Sequence, residues 1–324
     1  MIPKFDYARP TSLRQAIKQL TAAGARVHAG GTDLLGCLRD GVFATGKVVS
    51  ISGLSDLRGI KRSSDGGLTI GSLTTLSQLA TDSTVLREYT ALAQGALSAA
   101  SPQLRNQGTV GGNLCQRPRC WYFRGDFHCL RKGGDVCYAV DGQNHFHCIF
   151  GGDACYIVHP SDTAPTLLAL DARVRITGAN GSRMIPLETF FVPPSEDVTR
   201  ENVLTPDEIL TDVILPAPAS NQRSSYRKAR AREAWDFALA GVALCVRTRN
   251  TGEIERARIV LSGVAPIPWR VPEAEAALTG KRINEETARL VASLCVKDAQ
   301  PLEHNHYKVS LVRGLVEEAL LALR

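Results

Sequence analysis

The sequence predicts an α+β fold in two or three domains, and three observations support this prediction. The chain has 324 residues, which is more than one hydrophobic core usually holds. Its first 55 residues alternate helix-like and strand-like segments around a glycine pair, a pattern typical of a small parallel sheet. Its last hundred residues show three strands followed by three helices, after a proline- and serine-rich stretch at 216–224.

The first elements are indicated by apolar periodicity and by capping residues. Residues 11–24 carry apolar side chains at helical spacing, with Thr11 or Ser12 as the cap and Gly24 as the end. Around this helix the sequence predicts strands at 26–29 and 48–51, with a glycine turn and a short helix at 30–41 between them.

The middle of the chain begins with a hairpin at 60–71, whose turn is Asp65-Gly66-Gly67. A second glycine turn is expected within 104–114, and about 40 irregular residues follow it. A loop of that length is rare in a compact domain unless something besides apolar burial orders it. The other elements predicted here are helices at 74–81, 85–100 and 163–170 and strands at 172–177 and 209–215.

The carboxy-terminal part follows the stretch at 216–224, where we expect a domain boundary. Its apolar runs alternate and are separated by turn residues, which indicates strands, and its last segments have helical periodicity. We predict strands at 226–231, 241–249 and 255–263 and helices at 272–279, 283–298 and 308–323.

Composition excludes several classes of protein. Hydrophobic residues make up 44% and charged residues 22%, as in ordinary globular proteins. The net charge of +6 is spread along the chain, whereas a nucleic-acid site would gather it on one face. No apolar run reaches the roughly 20 residues of a membrane span. The start MIPKFDYARP lacks the apolar core of a signal peptide. We therefore expect a cytoplasmic protein, or a periplasmic one if a signal-bearing partner exports it.

Two glycine pairs are candidate phosphate sites. AGGTDLL at 29–35 and TVGGN at 109–113 each allow close approach of the backbone, and the first precedes a helix start, where N–H groups favour anions. Neither matches the G-x-G-x-x-G fingerprint or a P-loop. The sequence therefore disfavours an ordinary Rossmann site and a nucleoside triphosphatase.

Six of the nine cysteines lie within residues 105–162. They form no C-x-x-C pair, which is the commonest half-site of structural zinc, and four thiolates would suffice for an iron–sulfur cluster. Iron–sulfur, zinc and disulfide interpretations all remain open from the spacing alone. Three of the four histidines in this segment are candidate ligands but are more often polar loop residues, and the three cysteines elsewhere are expected to be buried thiols. The six clustered cysteines are Cys115, Cys120, Cys129, Cys137, Cys148 and Cys155; the histidines are His128, His145 and His147; the lone cysteines are Cys37, Cys245 and Cys295.

A few polar residues allow two interpretations. Asp162 could cap the helix at 163–170 or accept hydrogen bonds from a ribose. Lys228 and Arg232 could lie near a ligand or form a solvated basic face, and the latter is the commoner case. No Ser–His–Asp order, H-E-x-x-H motif or convincing pair of carboxylates indicates hydrolysis.

Four motifs in this order give the sequence a family resemblance. AGGTDLL, TVGGNL, P-S-D and YRK…DFALAGVA together resemble the FAD-binding subunits of the molybdenum hydroxylase (xanthine dehydrogenase/aldehyde oxidoreductase) family. The cysteine-rich segment resembles the branch with an extra [4Fe-4S] cluster, which includes periplasmic aldehyde oxidoreductases and 4-hydroxybenzoyl-CoA reductases. The resemblance implies an FAD-binding domain of the PCMH (vanillyl-alcohol oxidase-like) type at 1–220, in α/β subdomains 1–55 and 56–220, with a cysteine-rich insert at about 115–156. It implies a carboxy-terminal α+β domain of the CO dehydrogenase flavoprotein type at 221–324.

The same resemblance implies which residues hold the cofactors. The two glycine motifs would lie against the FAD pyrophosphate, Asp162 near the ribose, and Lys228 toward the isoalloxazine. Four of the six clustered cysteines would bind the [4Fe-4S] cluster, which leaves out Cys115 and Cys148. The implied FAD residues are Ala29, Gly30, Gly31, Thr32, Asp33, Leu34, Leu35, Thr109, Gly111, Gly112, Asn113, Asp162 and Lys228; the implied cluster ligands are Cys120, Cys129, Cys137 and Cys155.

The implied function is electron transfer within a larger enzyme. The chain would be the FAD and [4Fe-4S] subunit of an aldehyde- or xanthine-type oxidoreductase, with a large molybdenum cofactor-binding subunit and a small [2Fe-2S] subunit as partners. FAD would pass electrons to an external acceptor, so this chain would need no general base. The alternatives are a stand-alone flavin-dependent oxidoreductase of the same fold and a zinc-stabilised interaction module.

Overall fold

The computed structural model describes residues 2–324. Its first subdomain is a three-stranded parallel sheet in the order β1-β3-β2, as the alternation of elements predicts. Ser12 Oγ accepts from Gln15 N–H at the start of the first helix, whose buried face carries Ile17 and Leu20. The elements are β1 (Asp6–Ala8), α1 (Leu13–Leu20), β2 (Arg26–His28), α2 (Leu34–Arg39) and β3 (Lys47–Ser50).

The second subdomain is a five-stranded antiparallel sheet with helices packed on it, in the order β4-β5-β8-β6-β7. The helix predicted at 85–100 is divided, because Tyr89 leaves helical geometry and buries its ring while its hydroxyl donates to the Pro216 carbonyl. Its elements are β4 (Ile60–Arg62), β5 (Leu68–Gly71), α3 (Leu76–Thr81), α4 (Ser83–Glu88), α5 (Thr90–Ser98), α6 (Pro102–Gln107), α7 (Val110–Leu114), then α8 (Trp121–Arg124) in the insert, α9 (Thr163–Ala169), β6 (Arg173–Gly178), β7 (Gly181–Pro186) and β8 (Ile209–Leu215).

The carboxy-terminal domain is an antiparallel sheet in the order β12-β11-β10-β9, covered on one face by three helices. Its other face packs on α5 and α9, and Tyr226, Ala243 and Val260 share a core with the second subdomain. The strands and helices predicted here are confirmed to within a few residues. They are β9 (Gln222–Ala229), β10 (Ala240–Thr248), β11 (Ile254–Ser262), β12 (Trp269–Arg270), α10 (Pro272–Leu278), α11 (Glu285–Leu294) and α12 (Tyr307–Leu321).

The cysteine insert, residues 115–156, has little regular structure beyond α8 and the 3₁₀ turn Leu130–Lys132. It lies between the first subdomain and the start of α12. Asn305 Nδ2 donates to the carbonyl oxygens of His147 and Cys148, and the buried Lys308 Nζ donates to that of Phe146. Polar contacts of this kind therefore attach the insert to the carboxy-terminal domain.

Among residues 2–324, no helix combines the length and the apolar character that crossing a membrane requires.

Candidate functional site

The first glycine motif, residues 29–35, connects β2 to α2 and packs against the end of α6. A Cβ atom on Gly30 would lie 1.9 Å from the Gln107 carbonyl oxygen, so only glycine fits there. Gly31 has a φ of +74°, which glycine adopts without strain. The first motif therefore packs directly in front of the second, because Gln107 lies only two residues before Thr109 in the chain.

The second motif is a helix start and not the turn that the sequence suggested. Thr109 caps α7, and its Oγ1 accepts from Gly112 N–H at 3.1 Å. A Cβ atom on Gly111 would lie 2.8 Å from the Ser72 Cβ, so this helix packs tightly on the second subdomain. Sequence reasoning missed the helix because two glycines in five residues are poor helix formers and packing overrides the propensity here.

The two motifs line a cleft of three connected chambers. The first chamber lies between the first and second subdomains, the central chamber lies over both motifs, and the insert chamber lies beside the cysteine insert. Counting their open mouths, the chambers enclose about 1010, 1640 and 900 Å³. Neighbouring chambers share wall residues, so the cleft can take an extended ligand such as a dinucleotide.

Twelve of the thirteen residues predicted to bind FAD line this cleft. The thirteenth, Lys228, lines no chamber; it lies behind Asp162 and contacts that residue. Those that line the first chamber are Ala29, Gly30, Leu34 and Gly111; those that line the central chamber are Leu35, Asn113 and Asp162; those that line both are Gly31, Thr32, Asp33, Thr109 and Gly112.

Asp162 and Lys228 form a buried ion pair. Lys228 Nζ lies 2.8 Å from Asp162 Oδ2, and both side chains are at most 6% exposed. The Tyr226 hydroxyl donates to Asp162 Oδ1 at 2.7 Å. Burial raises the pKa of Asp162, against the attraction of Lys228. The capping interpretation of Asp162 is therefore wrong, since its side chain does not bond the helix start, and so is the solvated-face interpretation of Lys228. Arg232 is exposed, as that interpretation predicted.

Asn113 connects the second motif to the P-S-D segment. Its Oδ1 accepts hydrogen bonds from Ser161 Oγ and from Thr163 Oγ1, the latter at 2.6 Å. Ser161 Oγ in turn accepts from Ala164 N–H and so caps α9. Asn113 and Asp162 thus stand at the same end of the central chamber.

Asp33 binds the cysteine insert with its carboxylate. It accepts from the Arg117 N–H at 2.7 Å and from Arg124 Nη2 at 2.8 Å, and it pairs with Arg119 at 2.9 Å. The first motif is thereby attached to the insert by three arginines. This role of Asp33 as an anchor could not be read from the motif.

The remaining cleft walls carry residues that no sequence pattern singled out. Ser72 Oγ is buried in the first chamber without a hydrogen-bond partner among residues 2–324, and a ligand there could supply one. Arg26 lies 4.7 Å from the centre of the Phe43 ring in the same chamber. Trp121 and Phe237 line the insert chamber. Lone polar or aromatic residues give no signal in one sequence.

Four cysteines line a separate small cavity, and they are the four that the resemblance implied as ligands: Cys120, Cys129, Cys137 and Cys155. Counting its open mouth, this cavity has about 260 Å³, less than a third of any cleft chamber on the same measure, which is too small for a nucleotide.

The thiols of this cavity are electrostatically coupled. A hydrogen bond between the Cys137 and Cys155 thiols lowers the pKa of Cys137 to about 6 and raises that of Cys155. Burial raises the pKa of Cys120 to about 11. Among residues 2–324, no set of three or more His, Cys, Asp or Glu side chains is arranged to hold a metal ion directly. Four cysteines around one cavity are the donor set that a [4Fe-4S] cluster would need.

The other cysteines lie apart from this cavity. Cys115 lines the first chamber, and burial raises its pKa to about 12. Cys148 is buried in the insert, with its thiol against Gly152. All nine thiols are free, so the disulfide interpretation is not supported. Cys37 and Cys295 are buried as expected, but Cys37 accepts from Arg124 Nη1 at 2.9 Å and Cys245 is only partly covered.

His147 was expected to be a polar loop residue, and it is buried. Its Nε2 lies 3.2 Å from Cys120 Sγ, and burial lowers its pKa to about 4. The nearby N–H groups of Gly133 and Gly134 donate to the carbonyl oxygens of Leu130 and Cys129. His147 thus contacts Cys120, one of the four cysteines that line the small cavity.

Comparison with known proteins agrees with this geometry. The family model for the FAD binding domain in molybdopterin dehydrogenase matches residues 3–218, and that for the CO dehydrogenase flavoprotein C-terminal domain matches residues 224–323. The aldehyde oxidoreductase FAD-binding subunit PaoB of Escherichia coli K12 is 34% identical, covering 99% of this chain and 98% of that protein. The xanthine dehydrogenase FAD-binding subunit of Escherichia coli O157:H7 is 30% identical, covering 92% and 88%.

Among solved structures, a chain of carbon monoxide dehydrogenase from Hydrogenophaga pseudoflava has a TM-score of 0.79 at 26% identity, covering 99% of this chain and 98% of that one. These findings confirm the fold class and the family that the motifs indicated. The chain therefore belongs to the FAD-binding subunits of the molybdenum hydroxylase family and is an oxidoreductase subunit.

Proposed function

We propose that this chain is the FAD and [4Fe-4S] electron-transfer subunit of a molybdenum-containing aldehyde- or xanthine-type oxidoreductase. It passes electrons from a [2Fe-2S] subunit through FAD to an external acceptor. The observation that carries the proposal is the position of Cys120, which lines both the four-cysteine cavity and the insert chamber of the cleft. The proposed FAD cleft and the proposed cluster cavity are therefore adjacent, with Cys120 between them.

The residues of the cleft suit an extended, doubly charged cofactor. The glycine motifs hold the pyrophosphate, because glycine lets backbone N–H groups approach phosphate oxygens closely. Asp162 accepts hydrogen bonds from a ribose, and Lys228 gives the buried carboxylate a counter-ion at 2.8 Å. FAD, when bound, supplies the redox chemistry, and the protein supplies position and electrostatics.

Four thiolates around one cavity suit an iron–sulfur cluster. Cys120, Cys129, Cys137 and Cys155 come from separate turns of the insert, so a cluster bound to all four would connect the parts of a segment with little regular structure. The cluster thus has a structural role in ordering the insert besides any redox role.

The partners of this proposal are a large molybdenum cofactor-binding subunit and a small [2Fe-2S] subunit. One relative, 26% identical, is named the medium chain of a carbon monoxide dehydrogenase, a name that implies larger and smaller companions. The carbon monoxide dehydrogenase of similar structure was solved in a form that lacks the Mo-pyranopterin moiety of its molybdenum cofactor, so that enzyme has a place for one. We propose the same assembly here.

Native purification tests the proposal. A tag on this chain should recover a complex that contains flavin, iron at about four atoms per chain beyond the small subunit's share, and molybdenum on the large subunit. A chain that purifies alone with flavin would favour the stand-alone oxidoreductase. A colourless chain that carries zinc would overturn the proposal in favour of the interaction module.

A further inference from the structure

One buried arginine on the wall of the four-cysteine cavity is only partly satisfied by the protein around it. Arg131 lies in the 3₁₀ turn that follows Cys129, and its side chain is 1% exposed. Its Nη1 donates to Glu201 Oε1 at 2.6 Å and to the Arg200 carbonyl oxygen at 3.3 Å. Its Nε and Nη2 groups make no hydrogen bond to an oxygen or nitrogen acceptor among residues 2–324.

The arginine faces the cavity. Arg131 lines it together with the four cysteines, and its guanidinium interacts with the Cys155 thiol by charge and by an N–H···S hydrogen bond. A guanidinium presents five N–H groups in a rigid plane, and both Glu201 and the Arg200 carbonyl oxygen accept from Nη1 alone. A buried charged donor without an acceptor is unfavourable, because it has lost the hydrogen bonds that water would give it. Sulfur acceptors inside the cavity would satisfy the two groups that the protein leaves open.

Resting on the cluster of the proposed function, we propose that Arg131 is a positioning residue for the [4Fe-4S] cluster. Its Nε and Nη2 groups donate hydrogen bonds to cluster sulfur atoms, and its charge favours the reduced form of the cluster. Hydrogen bonds to the sulfurs and the net charge around a cluster are two of the factors that set its potential. Arg131 therefore raises the midpoint potential.

The carboxylate that orients Arg131 is shared with a second arginine. Glu201 is 5% exposed, and its Oε2 lies 2.8 Å from Nε of Arg117, which lines the first chamber. An isolated Arg–Glu pair would present no net charge to the cavity. Two arginines on one carboxylate leave one positive charge in excess, and Arg131 is the member that adjoins the thiols. The Arg131–Glu201–Arg117 chain also joins the cavity to the flavin cleft.

The test is a potentiometric titration of the purified holoenzyme, with the [4Fe-4S] signal followed by electron paramagnetic resonance. Arg131→Met removes the N–H groups and the charge, and we expect iron to be retained and the midpoint potential to fall. Arg131→Lys keeps the charge and loses the fork, so its shift should be smaller. Lys132→Met is the matched control, because the adjacent Lys132 side chain donates outward to the Gly125 carbonyl oxygen and should shift nothing.

The double variant Arg131→Met with Glu201→Gln keeps the test decisive if Arg131→Met alone does not fold, since it removes the buried partner charge as well. It is compared with Glu201→Gln. An unchanged potential in either comparison, with iron retained, overturns this inference alone. A wild-type holoenzyme without a [4Fe-4S] signal overturns the inference together with the proposed function.

Discussion

The walls of the glycine-lined cleft and the cysteine insert lie side by side, yet different interactions stabilise them. The second glycine motif belongs to α7, whose Val110 and Leu114 are fully buried in the large core of the second subdomain. The insert buries Phe123 and a few other apolar side chains, but it leaves Trp121 and Phe146 about half exposed. Its attachments are polar at Asp33 and Asn305 and apolar at Ile149 and Phe150, which belong to the core of the carboxy-terminal domain.

This difference teaches that order in the two regions has separate origins. Apolar burial fixes the cleft, so its glycines and buried ion pair are pre-arranged for a cofactor. The insert lacks a core of comparable size, so a bound cluster would contribute a large part of its stability. Changes to one region should therefore leave most of the other intact. Four perturbations test whether the two regions are independent in this way.

Removal of iron should open the insert, including the part of the cleft wall that it forms, and spare the cores of the second subdomain and the carboxy-terminal domain. Structural metal sites contribute on the order of 10 kcal/mol to the segments they hold. Hydrogen exchange after anaerobic chelation should therefore speed up strongly at 115–156 and change little in α5 or β10. Equal acceleration in all three segments would show that the cluster stabilises the whole domain and would remove the distinction between the regions.

Breaking the buried ion pair should destabilise the cleft. Lys228→Met leaves the Asp162 carboxylate buried without its counter-ion, and such losses cost about 3–5 kcal/mol. Urea unfolding should detect this, with loss of flavin and retention of iron in the folded fraction. Lys61→Met, at an exposed lysine of β4, is the control. Adding Asp162→Asn to Lys228→Met should restore most of the stability, and failure to do so would argue against the pair as the cause.

Adding one methyl group should weaken flavin binding at one glycine of the first subdomain and not at another. Gly30→Ala places Cβ 1.9 Å from a backbone oxygen, an overpacking that costs about 1–3 kcal/mol and displaces the first motif. We expect weaker flavin binding, measured by flavin retention on gel filtration. Gly53→Ala lies at an exposed turn of the first subdomain, outside the cleft walls and with open space around it, and should be close to neutral. Similar flavin loss in both variants would contradict the close-approach explanation.

Stability should fall in mild acid because of a buried histidine at the edge of the cleft. Burial lowers the pKa of His159 to about 4, from an ordinary 6.5. As pH falls from 6.5 toward 4, the unfolded chain gains a proton that the folded chain does not, so stability decreases. The loss at pH 5 is about 2 kcal/mol. His159→Gln should flatten this part of the profile, whereas a matched His306→Gln change at an exposed site should not; parallel profiles would refute the assignment.

Local signals in the sequence predicted much of the fold. Ser12 marked the first helix by its capping pattern, and the Asp65-Gly66-Gly67 turn marked the hairpin. The three-residue strand β1 was missed because so short a run has no periodicity. The capping helix α7 was missed because packing, and not propensity, makes it helical.

The candidate site was predictable where a motif carried it. Both glycine motifs could be named from the chain, whereas the choice of four cysteines out of six came from the family resemblance; the structure brings each set together. The pairing of Asp162 with Lys228 and of Arg131 with Glu201 could not be foreseen, since each joins residues far apart in sequence. Such contacts depend on the tertiary fold.

The most direct test of the central claim is the iron content of single cysteine variants. Each of four serine variants should lose the [4Fe-4S] signal and retain flavin: Cys120→Ser, Cys129→Ser, Cys137→Ser and Cys155→Ser. Cys115→Ser and Cys148→Ser should keep both, because those thiols lie outside the cavity. Iron retained in Cys155→Ser but lost in Cys148→Ser would contradict the assignment of this cavity as the cluster site.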